Sequence, residues 1–507
     1  MEDEINSLEA NDTWSLVKLP PGRKAIKSKW VYRLKYKLDG SVDRFKARLV
    51  VKGCSQKEGI DYEETFSPVV RYDSIRTILS VAASEDLEMI QFDVKTAFLH
   101  GDLEEQIFMV QPEGFQTEDG KVCLLLKSLY GLKQAPRCWN KKFTSFLEEF
   151  KLKATDADPC VFVSTGKEKK IILALYVDDG ICCCSDREVL DKLVKALKTA
   201  FEIMVGDCSC FVGIEIKRNR TKRQMFLSQE TYARKILNKY NMSDAHAISV
   251  PADPHVKLCK DMHPRQDEGL EDMNNFPYRA AIGHLMYLMT CTRPDLAYAV
   301  STLSQFMMKP NILHWRAVQR VLRYLKGTTG YGITFMQGNK KHVLSGFSDS
   351  DFAGDIDERK STSGYVFLLN NGPVTWRSRR QRMTAISSTE AEYVSCSESS
   401  REAVWLRRLL SNIGFDQDEA TVIHVDNMSA ISLVKNPSHH SRTKHIDTHF
   451  NLVRQYHQQK FVDIHHVPTE EQVADILTKA VTPGQFGKLR IMMGINQLQG
   501  QNNESTQ

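Results

Sequence analysis

The sequence predicts a mixed α/β (α+β) chain of two to four folded domains, and three observations carry this. At 507 residues the chain exceeds one hydrophobic core, taking roughly 150 residues per domain. Strand-sized apolar runs mix with segments of helical period up to about residue 240, and again after about residue 341. Between these blocks, 241–277 is polar and carries Pro251, Pro254, Pro264 and Pro277, which suits a linker. Residues 278–327 then read as helical, broken by Pro294 and Pro310.

The first block opens on KWVYRLKYKLDGSVDRFKARLVVKG, whose apolar positions alternate around Asp39-Gly40, the signature of a β-hairpin. MIQFDV at 89–94 is a short apolar strand. FTSFLEEF and REVLDKLVKALKTAF are helices; in the second, Val189, Leu190, Leu193, Val194, Leu197 and Phe201 recur at helical spacing. In the last block HVLSGFSD, GYVFLLN, VTWRSRRQ and ATVIHVD read as strands. A long helix is expected from about Thr389 to Asn412, with Ser387 and Glu390 as a capping box and Gly414 as a stop. A short helix follows from about Ser429, and a last one opens at Thr469-x-x-Gln472. The tail INQLQGQNNESTQ is poor in large apolar residues and is expected to be disordered.

Hydrophobic content of 42% and charged content of 26% are ordinary for a soluble globular protein. The longest apolar runs, such as IILALYV at 171–177, are strand-sized, against the ~20 residues of a membrane span. The acidic N-terminus is no secretory signal, so a cytoplasmic chain without membrane partners is expected. Twelve cysteines lack any C-x-x-C pair and read as reduced thiols. From Lys18 to Lys57 thirteen Lys and Arg face only Asp39 and Asp43, and six basic residues with no acid lie between Arg359 and Arg382. Two such patches suit a polyanion, although a solvated basic face would look the same.

Tyr176-Val177-Asp178-Asp179 lies between the apolar run IILAL and Gly180-Ile181. Asp-Asp-Gly alone is usually just a hairpin turn. Here apolar flanks bury the hairpin, and Asp93 ends another apolar strand 85 residues earlier. Three carboxylates on neighbouring strand ends can hold two Mg²⁺ ions, and without a cation they would repel one another.

With DVKTAFLHGDL, SLYGLKQAPRCW and YVDD in order, preceded by NDTWSLVKLPPG and GIDYEETFSPVVR, the chain resembles the copia-type LTR retrotransposon Pol family. The resemblance implies a right-hand polymerase of fingers and palm, in which Asp93, Asp178 and Asp179 bind metal. It implies that Phe98 is the bulky gate against a ribose 2′-hydroxyl, and that Gln134 lies near the incoming nucleotide. Lys46 and Arg48 would grip the triphosphate or, equally, the phosphate backbone.

Asp349, Glu392, Asp426 and Asp475 then follow as strand, helix, strand and helix carboxylates. Taken singly, each would be a turn cap or a solvated acid. Together they resemble the four-carboxylate set of ribonuclease H, a second two-metal site. SDSDFAGD, SSTEAEYVSCSE, HVDNMSAISLVKNPSHHSRTKHID and EEQVADILTKA match the same family. Asp349 is preferred over Asp351 because it lies nearer the strand, and Glu392 over Glu390 because Glu390 fits the cap. His439, His440, His445 and His449 lack a cysteine or a well-spaced further ligand, so zinc is rejected. With Arg442 and Lys444 they are expected to touch nucleic acid.

The resemblance spans about residues 10–485. It implies fingers and palm over 1–240, a linker and helical thumb or connection over 241–340, and a ribonuclease H-like domain over 341–484. A disordered tail would occupy 485–507. It further implies two Mg²⁺ ions per site (or Mn²⁺), an RNA template, a DNA primer, deoxynucleoside triphosphates and an RNA–DNA hybrid. Virus-like particles and nuclear access are the implied setting. No nucleocapsid, protease or integrase motif is visible, so a truncated copy, an open-reading-frame fragment or a processed product is expected. Phe352 stands where the family often has Trp. Val212-Gly213 stands where it more often has Leu-Gly, after a divergent GDCSC; weakened primer positioning, leaving only the ribonuclease active, is one alternative. An inactive relic that merely binds nucleic acid is the other.

Overall fold

In the computed structural model, which describes residues 1–36, 42–117, 120–165, 170–262, 273–338, 342–435 and 447–498, the chain divides into two compact units. One comprises Met1–Val70 and Glu88–Asp207, the other Arg71–Leu87 and Cys208–Gln507. The expected borders at 240, 340 and 484 do not coincide with these units. Among the described residues no helix is long and apolar enough to cross a membrane.

The first unit is organised on a six-stranded antiparallel sheet. Its order is Ile203–Gly206, Glu88–Val94, Asp179–Cys184, Ile171–Tyr176, Val161–Ser164, Leu152–Ala154. Alternate residues Ile90, Phe92 and Val94, with Leu173, Leu175, Cys182 and Cys184, form one core with Trp139, Phe143 and Leu147 of helix Ala135–Glu149. Leu190, Leu193 and Leu197 of helix Arg187–Ala200 complete it. Because side chains alternate along a strand, Asp93 faces away from these helices. The helix read at FTSFLEEF begins earlier, at Ala135. Pro136 is tolerated in its first turn, where its missing N–H would have no helical partner.

The basic hairpin forms as strands Ser28–Tyr36 and Val42–Val51; its turn Asp39-Gly40 lies outside the described residues. Val31, Arg33, Lys46 and Arg48 share one face through the pairs Val31–Arg48 and Arg33–Lys46.

Helix Tyr72–Ser84 belongs to the second unit, against the expected continuity of 1–240. It is buried from Ser74 to Ser84, so it cannot stand as a surface helix. Arg76 explains the placement. It is 2% exposed, donates to the carbonyls of Val374, Thr290 and Cys291, pairs with Asp73 at 2.6 Å, and lies over the Trp376 ring. A buried guanidinium is tolerated only when its donors are spent in this way.

The second unit carries helices Tyr278–Cys291, Ala297–Ser304 and Ile312–Gly327, interrupted near Pro294 and Pro310. It also holds two five-stranded sheets. One runs Cys210–Phe211, Ile214–Asn219, Gln224–Ser228, Tyr331–Met336, Ile495–Gln497. The supposed tail beyond 484 therefore contributes a strand, and helix Pro483–Met492 precedes it. The apolar anchors Phe486, Leu489 and Ile495 are buried, and a count dominated by the polar end of the segment hides them. The other sheet runs Gly372–Arg380, Thr362–Leu369, Ser345–Ser350, Thr421–Val425, Val462–His466. Its first three strands pair antiparallel, while Ser345–Ser350, Thr421–Val425 and Val462–His466 run parallel. Helix Ser388–Asn412 packs on this sheet. Ser387 Oγ accepts from Glu390 N, and the Glu390 carboxylate reaches back to Ile386 N. The helix expected from Thr469 is instead two 3₁₀ turns, Thr469–Glu471 and Val473–Leu477. The side chain of Gln472, fully buried, donates from Nε2 to Ser348 O while its Oε1 caps the second turn by accepting from Ala474 N.

Candidate active sites

In the first unit, the register of Glu88–Val94 against Asp179–Cys184 sets Asp93 directly opposite Asp179. Tyr176 pairs with Asp179, so the hairpin closes over only Val177 and Asp178. Val177 takes a left-handed backbone, φ +59°, strained for a β-branched residue by about 1–3 kcal/mol. Two hydrogen bonds impose it. Trp139 Nε1 donates to Val177 O at 2.6 Å, and Val94 N donates to Asp178 O at 2.9 Å. Trp139 is itself fixed in an aromatic cluster with Phe143 and Phe201.

Asp93 and Asp178 line a cleft of about 710 Å³ that is also lined by Arg33, Arg44, Lys46 and Arg48. The Arg48 guanidinium lies over the Tyr130 ring, 4.5 Å from its centroid. Burial holds the Asp178 carboxyl above its ordinary range, with Asp93 adding to it and Arg48 and Lys46 opposing. Asp179 rises to about 6 through burial, then Asp178, then Asp93. Asp179, Phe98 and Gln134 are not among the residues that line the cleft. Phe98, half-buried, packs edge-on against Tyr130, which does line it. Gln134 is 1% exposed, donates to Asp61 O and accepts from Gln56, so its amide braces segment 56–61.

In the second unit, parallel pairing brings two strand ends side by side, with Phe347 opposite His424. Asp349 and Asp426 each follow two residues later. Helix Ser388–Asn412 docks through Ser395 Oγ, which donates to Asp349 O at 2.8 Å. This sets Glu392, one turn earlier, against both acids. One carboxylate oxygen from each of Asp349, Glu392 and Asp426 lies within 4.8 Å of the others. Glu392 Oε1 accepts from Ser350 N, while its buried Oε2 has no donor among the described residues. Thr478 Oγ1 donates to Asp349 and Thr469 Oγ1 to Asp426. Asp475 lies in the second 3₁₀ turn, with Lys479 Nζ 2.9 Å from its Oδ1 and 3.8 Å from Asp349 Oδ2. Asp351 stands apart from the triad, accepting from Thr362 N. His439, His440, Arg442, Lys444 and His445 lie outside the described residues, as does the side chain of His449.

A model of the family described as "Reverse transcriptase (RNA-dependent DNA polymerase)" matches residues 11–254. The Pol polyprotein of transposon TNT 1-94 from Nicotiana tabacum is 46% identical over 500 residues, covering 98% of this chain and 37% of that protein. That of transposon RE2 from Arabidopsis thaliana is 39% identical, covering 98% and 34%. A putative transposon Ty5-1 protein of Saccharomyces cerevisiae is 30% identical, covering 61% of this chain and 99% of its own length. The chain belongs to the copia-type retrotransposon Pol family. It spans about a third of the full-length polyproteins it matches. Both units of this copia-type segment mix helices with sheet.

The donors of this copia-type chain suit divalent magnesium or manganese, which prefer carboxylate oxygen. Glu392 Oε2, buried without a donor, is the atom a cation would satisfy. Sequence reasoning passed over Tyr130, Trp139, Val177 and Lys479. Tyr130 and Trp139 stand inside the quoted SLYGLKQAPRCW, Lys479 inside EEQVADILTKA, and Val177 inside YVDD; their roles depend on what lies across from them.

The crowded acids set a pH dependence. Asp475 is raised to about 7, chiefly by burial and then by Asp349, which outweigh the opposing pull of Lys479. Asp179 stands at about 6. A folded-state pKa above the unfolded one gives stability that is complete at low pH and lost as pH rises through the folded value. In chelator, the melting temperature is therefore expected to fall between about pH 4 and about pH 7. Mg²⁺ is expected to flatten this slope. Thermal melts across that range, with and without Mg²⁺, check it.

Proposed function

We propose that this chain is an RNA-directed DNA polymerase that also degrades the RNA strand of the RNA–DNA hybrid it makes. Its substrates are a primed RNA template and deoxynucleoside triphosphates. What carries the reading is convergence: carboxylates far apart in sequence meet twice, at Asp93 with Asp178–Asp179 and at Asp349, Glu392 and Asp426.

In the first unit, Asp93, Asp178 and Asp179 would hold two Mg²⁺ ions, and Lys46 and Arg48 balance the triphosphate from the same cleft. In the second, Asp349, Glu392, Asp426 and Asp475 would hold the other pair. Bound divalent ions supply acidity to a hydroxyl or water and neutralise charge at the phosphate. The protein supplies position. The strained Val177 turn, held by Trp139 and Val94, aims Asp178 into the cleft. Thr478 and Ser350 N orient Asp349 and Glu392. Both sites take an A-form or hybrid helix by backbone and shape.

The test is direct. The purified chain is incubated with a primed RNA template, labelled deoxynucleotides and Mg²⁺, and separately with a labelled hybrid. Primer extension and RNA cleavage are both expected, both stopped by chelator and restored by Mg²⁺ or Mn²⁺. Hybrid binding with neither activity would establish a nucleic-acid-binding relic instead. Cleavage without extension would confine activity to the second unit.

A further inference from the structure

The ribonuclease H-like carboxylates are unevenly provided with positive charge. On one side, Asp349, Glu392 and Asp426 gather with a buried oxygen, Glu392 Oε2, that has no donor among the described residues. On the other, Lys479 already stands between Asp475 and Asp349, whose side chains are each 1% exposed. Lys479 N also donates to Asp475 O at 3.1 Å, so ammonium and carboxylate rise from one tight turn. The Lys479 side chain is 39% exposed, and its flexible stem can carry the ammonium outward without moving the turn.

Two buried carboxylates this close repel one another unless a cation intervenes. A divalent ion between Asp349 and Asp475 would meet the Lys479 ammonium in the same space. Glu392 and Asp426, the other two members of the triad, make no ion pair among the described residues.

We propose that Lys479 is a built-in counter-cation occupying the second of the two cation positions. The site then takes its first ion at the Asp349–Glu392–Asp426 side, and its second only when Lys479 withdraws. A phosphodiester entering the site offers the displaced ammonium an anionic partner, so filling of the second position is coupled to substrate. Lys479 is on this account a positioning residue that controls when the site is complete. The inference rests on the two-ion reading of this site.

The test uses the full chain carrying Asp93→Asn and Asp178→Asn to silence the polymerase cleft. Mn²⁺ binding is followed by calorimetry, with no substrate present. One ion is expected to bind with an affinity that Asp426→Asn destroys, and a second far more weakly. Lys479→Met is expected to tighten the second ion roughly tenfold, and to lower the melting temperature in chelator while Mn²⁺ restores it. Lys479→Arg, which keeps the charge, is expected to leave the second ion weak. Should Lys479→Met fail to fold, Lys479→Gln gives the same readout. Unchanged second-ion affinity in the neutral variant, or equal tightening in Lys479→Arg, would overturn the role of Lys479 alone. No Asp426-dependent Mn²⁺ binding in the parent would overturn the two-ion reading, and this inference with it.

Discussion

Asp349→Asn is expected to abolish cleavage of the RNA strand while leaving primer extension intact and making the metal-free chain more stable. Partners behind a metal ligand typically cost about 10–100-fold when lost. Asp349 is the acid shared by the triad and by Lys479, so its loss is expected to cost about 10³-fold or more. The stability gain follows from burial. Asp349 is 1% exposed, and its carboxyl is pushed up chiefly by desolvation, against the pull of Lys479 and Thr478. Its folded pKa lies above the unfolded one, so the parent loses more stability as pH rises than the Asn variant, which keeps only the contributions of Asp475 and Asp179. The melting-temperature gap in chelator should widen toward alkaline pH and close on adding Mg²⁺ to the parent. A variant that lost cleavage by simple unfolding would show the opposite shift. Cleavage rates on a labelled hybrid, paired with melts in chelator, separate the two cases.

Asp178→Asn is expected to give the complementary result: extension reduced by about 10³-fold or more, cleavage unchanged. The argument turns on what holds the hairpin. Val177 O and Asp178 O are fixed by Trp139 Nε1 and Val94 N, and neither bond uses the Asp178 carboxylate. The turn therefore survives the substitution and only the oxygen ligand goes. Asp93 and Asp179 lose a repelling neighbour, so no loss of melting temperature is expected. Single-turnover extension on a primed RNA, with cleavage measured on the same preparation, decides it. Extension persisting near the parental rate would remove Asp178 from the chemistry and with it the reading of the first cleft.

The acids were legible because each ends or opens an element with a clear period. Asp93 closes an apolar strand, Asp178 and Asp179 sit between two, and Glu392 falls just past the first turn of a long capped helix. The nucleotide contacts were less legible. Phe98 and Gln134 sit in the right words, yet a packing decision puts Tyr130 on the cleft wall and turns Gln134 inward to Asp61 and Gln56. Sequence spacing gives the distance along the chain and not the direction a side chain takes when a neighbour offers a hydrogen bond. The last helix failed for the same reason: Gln472 found Ser348 O, and the segment around Asp475 tightened into 3₁₀ turns.

By itself the sequence determined the mixed α/β class, the basic hairpin, most strands and helices, and the order of the carboxylates. Those follow from local periodicity and capping, which a single chain segment carries. Only the tertiary structure decided that helix Tyr72–Ser84 belongs with the second unit, that the end of the chain adds a strand, and that Lys479 stands between Asp475 and Asp349. The first and last depend on burying a charged group against partners hundreds of residues away or across a turn, and the second on cover for the apolar Phe486, Leu489 and Ile495. The energy of such burial is set by the partner, which no local pattern contains.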